Sequence, residues 1–158
     1  MTHATDALAT RAPDRSGTTG TLRALRVTAV LSVLTLLFQF VTAGQLFGRG
    51  GPEDLHGAGA IVLHVVTGLL TVAAVLHACS TSGPWWPAVL AAVVFVLTFV
   101  QAWFGSGATL AIHVPGAMIL TVGTVWLAAW SLTRSAHRPR GRSPATVERG
   151  RGGRGGRG

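Results

Sequence analysis

HGAGAIVLHVVTGLLTVAAVLHA, residues 56–78, runs from end to end without an Asp, Glu, Lys or Arg. At 1.5 Å per residue it is long enough to cross a hydrocarbon layer of about 30 Å. It carries no polar stripe at helical spacing, which a helix bordering a soluble core would show. The stretch therefore reads as a transmembrane helix. Three others like it occupy residues 27–47, 85–104 and 108–132. The joints between them (GRGGPEDL, CSTSGP and GSG) are short, so successive helices must run antiparallel. The predicted fold is all-α: a four-transmembrane-helix up-down bundle over residues 22–132, with tails 1–21 and 133–158 expected to be disordered.

Composition agrees. Only 11% of the chain is charged, against about 25% in soluble domains. Between Arg26 and Arg134 the sole charged side chains are Arg49, Glu53 and Asp54. Three charges cannot clothe the surface of a water-soluble domain of that length. Residues 1–21 are polar and lead into a full-length span, unlike a cleavable leader. Cys79 is the single cysteine, which excludes an intramolecular disulfide and a CxxC site.

Arginine placement sets the expected orientation. Four arginines precede the first span and eight follow the fourth, which puts both termini in the cytoplasm and residues 48–55 outside. Trp85, Trp86, Trp126 and Trp130 then lie at the inner interface and Trp103 near the outer one. The pI of about 11.9 resides almost wholly in the tails, so we expect a lipid-bilayer partner and no nucleic acid. The C-terminal arginines are placed to contact anionic headgroups.

Aligning His56 with His113 partly overlays the chain on itself. Phe47-Gly48 and His56-x-x-Gly59-Ala60 match Phe104-Gly105 and His113-x-x-Gly116-Ala117, while Phe38 falls on Phe95 and Thr67 on Thr124. Gln45 and Gln101 agree to within one position. The predicted halves are two tandem helical hairpins with pseudo-twofold symmetry about the membrane normal. His56 and His113 then sit at similar depth near the outer ends of spans 2 and 4. Two imidazoles facing each other across a bundle are what a bis-histidine haem centre needs.

Around that pair, Gly57, Ala58, Gly59, Ala60, Gly116 and Ala117 would leave room for a flat macrocycle. Pro115 would loosen the start of the fourth helix and tilt His113 inward. Gln45 and Gln101 would orient imidazoles or bond propionates, and Glu53 and Asp54 would serve a proton relay or support His56. His64, two turns beyond His56, is a substitute ligand, a carrier of protons inward or, the favoured reading, hydrogen-bonded to a neighbouring helix. His77 has Arg134 as its mate, which argues against a second haem. Polar groups at helix ends also often just reach water or a backbone carbonyl, and that reading stays open for the His56/His113 pair.

The patterns FQFVTAG, LHGAGAIVLHVVTGLLTVAAVL, FVQAWFG and IHVPGAMIL resemble a family of small four-span actinobacterial membrane proteins of unknown function, over residues 27–132. More loosely, Glu53-Asp54-Leu55-His56, Gln101-Ala102-Trp103-Phe104-Gly105 and His113 resemble one half of the haem A synthase family. That likeness implies His56 and His113 as haem ligands and Glu53 in a catalytic or proton-handling role. Gly57 stands where that family has arginine, the outer loop has no cysteine pair, and only one half is present, so haem A synthesis itself is not implied.

Two functions are carried forward. One is a protein holding one haem b for electron transfer near the outer face, to a quinone or a redox partner the sequence does not name. The other is a non-catalytic scaffold or accessory subunit packed through small residues such as Gly44-x-x-x-Gly48. A proton conduit through Glu53, His56 and His64 ranks below both, because the inner halves of the spans offer few polar groups.

Overall fold

The computed structural model describes residues 15–49, 51, 53–105 and 109–134 of the chain. They form four helices, α1 (Arg15–Arg49), α2 (Glu53–Thr81), α3 (Trp86–Trp103) and α4 (Leu110–Thr133). All four are long and apolar enough to cross a membrane. The sequence also explains where they stop. After α2, Ser82 takes φ 49° and the Gly83 N–H returns to the Ala78 carbonyl at 3.3 Å, a left-handed stop that satisfies an end carbonyl. Pro87 falls in the first turn of α3, where a missing N–H costs nothing.

Helix α1 starts well before the expected boundary, so residues 15–21 of the predicted tail belong to it. Propensity does not account for this, since the segment is rich in Gly and Thr. Tertiary packing does: Leu22 and Leu25 are buried beside Ala74 and Ala78 of α2, and Arg26 donates to the Ser131 carbonyl at 3.0 Å and to the Arg134 carbonyl. A helix anchored at both places is held beyond the length its propensity would support. Residues 1–14 and 135–158, which include the Arg/Gly-rich run, lie outside the described residues.

The helices form a square. Each packs on its two chain neighbours, with α4 closing back onto α1. Across the diagonals, α1–α3 and α2–α4, no described Cα pair lies within 8 Å. Towards the termini the interior is filled by Leu25, Ala29, Leu70, Ala91 and Leu127, and at mid-depth by Leu36, Leu63, Val94 and Leu120. Much of the rest of the interior is small or hydroxylated: Ser32, Thr67, Thr98, Thr124 and Ser131 are all buried. Their hydroxyls donate to carbonyls of their own helices, as Thr67 does to Leu63 at 2.7 Å and Thr124 to Leu120 at 2.8 Å. Val, Leu, Ile and Phe side chains cover the outside. An apolar exterior of that extent needs a lipid solvent, and small residues inside let the backbones approach. The protein is a multi-pass integral membrane protein.

Burial confirms part of the internal repeat and corrects the rest. On α2 and α4, Leu63, Thr67 and Leu70 are buried as are Leu120, Thr124 and Leu127, in the register that aligns His56 with His113. On α1 and α3 the matching buried sets are Ala29, Ser32, Leu36 and Ala91, Val94, Thr98. That is a different register, the one that aligns Gln39 with Gln101. Phe47 lies within α1 whereas Phe104 lies past the end of α3. The Phe-Gly match is therefore not a structural one. It sits at the joints, where core packing does not fix register.

Candidate functional site

Above the Leu/Val layer, at the end of the bundle with the two hairpin loops, the interior turns polar. Gln39 and Thr42 come from α1, His56 and Gly59 from α2, Gln101 from α3, and His113 and Gly116 from α4. His113 Nδ1 lies 2.9 Å from the Gln101 backbone carbonyl. A carbonyl only accepts, so Nδ1 carries the proton and Nε2 keeps a lone pair. His56 Nδ1 lies 3.0 Å from Thr42 Oγ1, with the Gln39 backbone carbonyl also in reach. The Thr42 hydroxyl itself donates to the Phe38 or Gln39 carbonyl, at 3.1 Å each. It therefore accepts from His56, which sets the same tautomer. Neither Nε2 has a hydrogen-bond partner among the described residues, and the two imidazoles are within electrostatic reach of each other.

A second set of contacts repeats in both hairpins. The Gln39 carboxamide packs on Gly59 and the Gln101 carboxamide on Gly116, so closely that a Cβ on either glycine would collide with it. At Gly59 the Phe38 ring adds a second obstacle, 2.9 Å from such a Cβ. Each hairpin thus builds the same unit: a glutamine on the first helix, a histidine on the second, and a glycine one turn after the histidine. The room expected beside the small residues is taken by glutamine. The Oε1 atoms of Gln39 and Gln101 are buried without a hydrogen-bond partner, which is costly unless a further group supplies a donor.

Gln39, not Gln45, is the structural mate of Gln101. Gln45 is exposed near the end of α1, where its carbonyl accepts from the Gly51 N–H at 3.2 Å. The signal that finds Gln39 is burial period along α1, which places it on the face of Ser32 and Leu36. Overlaying the two loops hides it.

The remaining candidates stand apart from this unit. His64 donates to the Ala60 carbonyl of its own helix rather than to a neighbouring one. Its ring meets the Phe99 ring of α3 edge-on, with centroids 4.1 Å apart. Glu53 and Asp54 are exposed in the first turn of α2, where negative charge favours a helix N-terminus, and neither bonds to His56. His77 lies at the far end, against Thr21 at 3.2 Å. Gly44 faces outward with nothing near the position a Cβ would take.

Among the described residues no three His, Cys, Asp or Glu side chains gather as metal ligands. Two imidazoles with unclaimed Nε2 atoms remain. Such a pair completes the coordination of a metal whose other positions a macrocycle fills. Fold and site together define a small membrane-embedded four-helix bundle with a paired-histidine polar layer near one face. No family pattern, characterised protein or solved structure matches this chain.

Proposed function

We propose that the protein binds one haem b between α2 and α4, which His56 and His113 would hold, and passes electrons near the face that carries the hairpin loops. The observation that carries this reading is the matched state of the two histidines. Each has its Nδ1 proton engaged by a fixed acceptor on the preceding helix, which sets the tautomer and orients the ring so that Nε2 is the ligating atom on offer. The likeness of Glu53-x-x-His56 and of Gln101 with His113 to one half of the haem A synthase family supports it further. Gln39 and Gln101, which pack on Gly59 and Gly116, would swing off those glycines to make room for haem. Bound haem would supply a one-electron couple, while the chain supplies ligands, orientation and an apolar wall. By the arginine distribution, the loops face outside the cell and both termini lie in the cytoplasm.

The packing of the two carboxamides favours a second reading, in which the polar layer only locks helix pairs in a scaffold. The test is the visible spectrum of protein purified in detergent from cells supplied with haem precursor, oxidised and then dithionite-reduced. A Soret band with sharp α and β bands on reduction supports the haem reading. A protein that stays colourless after addition of haem overturns it and leaves the scaffold.

A further inference from the structure

At the opposite end of the bundle, α1, α2, α4, the turn at Gly83 and Pro84, and Pro87 at the start of α3 line a cleft of about 370 Å³. Its floor is apolar, built from Leu22, Leu25 and Ala74, and its rim carries Thr18, His77 and Arg134. The Arg134 guanidinium lies 4.7 Å from the centre of the Trp130 ring, which is itself braced edge-on by Trp86 with centroids 5.1 Å apart. A guanidinium stacked on an aromatic face keeps its N–H edge for a planar or tetrahedral anion. Arg26 is committed elsewhere, to the carbonyls of Ser131 and Arg134 that end α4, and so fixes the backbone from which Arg134 projects.

No counter-charge is present among the described residues at this end. The acids there described are Glu53 and Asp54, in the first turn of α2 at the far end of the bundle. His77 and Arg134 are in electrostatic reach of each other, so the rim sets a guanidinium cation and an imidazole side by side above an apolar floor. That complementarity fits an amphiphile with an anionic head. Trp85, Trp86 and Trp130 mark this level as the membrane–water interface, where lipid phosphates lie. We propose that the cleft binds an anionic phospholipid, its phosphate between Arg134 and His77 and the start of an acyl chain on Leu22 and Leu25. The proposal does not depend on haem.

The test is native mass spectrometry of the full chain with phosphatidylglycerol and phosphatidylcholine in competition, for wild type and for R134Q/H77Q. Wild type should retain phosphatidylglycerol preferentially. The double variant should lose that preference about tenfold, the size of one charge-assisted hydrogen bond. The tail variant R138Q/R140Q should keep it, and R134K should fall between, because lysine retains the charge but not the planar fork. Equal retention of both lipids by wild type would overturn the proposal, as would an undiminished preference in R134Q/H77Q. Displacement of the lipid by millimolar glycerol phosphate at constant ionic strength would assign the cleft to soluble phosphate esters and would also overturn it.

Discussion

The two hairpins build one unit by different means. In the second, a single residue does two jobs: the Gln101 backbone carbonyl takes the His113 proton while its side chain fills the Gly116 notch. In the first, the His56 proton is shared between Thr42 Oγ1 and the Gln39 backbone carbonyl, while the Gln39 side chain fills the Gly59 notch. The chain from Gln39 to His56 is also longer than the chain from Gln101 to His113. The extra length extends α1 and its joint without moving the histidine from its level. The glutamine–histidine–glycine contact is thus kept where loop length is not.

Removing one histidine at a time should have the largest effect. On the haem reading, His56→Ala and His113→Ala should each abolish the six-coordinate reduced spectrum, to the same degree, because either variant would keep one histidine ligand. Unequal effects, with one variant keeping sharp α and β bands, would show that the halves are not equivalent ligands. His64→Ala should leave the spectrum intact.

The notches should differ more than the ligands do. Gly59→Ala drives a Cβ against both a carboxamide and the Phe38 ring and should cost about 1–3 kcal/mol of stability in detergent. Gly116→Ala meets only the movable end of Gln101 and should cost less. Thermal melting of the two variants checks the order.

Thr42→Val tests the first hairpin alone. It removes one of the two acceptors within reach of the His56 proton, at a cost of up to about 1 kcal/mol, and should weaken haem retention by up to about tenfold. No side-chain substitution can do the same to His113, whose acceptor is backbone. The smallest effect is expected for Gln39→Leu and Gln101→Leu. Each removes a buried acceptor that has no partner, so apoprotein stability should stay within about 1 kcal/mol of wild type or rise.

The architecture is legible in the sequence because span length and the lack of charge leave few choices for residues 27–132, and short joints fix the neighbours. The histidine pair is legible because His56 and His113 lie on helices whose register the core locks. Gln39 is not. It pairs with Gln101 in the register of the α1 and α3 cores, whereas the loops overlay in the register of the histidines, and identity at a joint carries no packing constraint. The start of α1 at Arg15 is hidden as well, because Leu22, Leu25 and Arg26 find their partners on α2 and α4, beyond the reach of any local pattern.

The decisive measurement is titration of the haem-free protein with haem, followed at the Soret band. Saturation at one haem per chain, with a six-coordinate low-spin spectrum, is the predicted result. An unsaturable rise, equal in wild type and in His56→Ala/His113→Ala, would contradict the haem assignment.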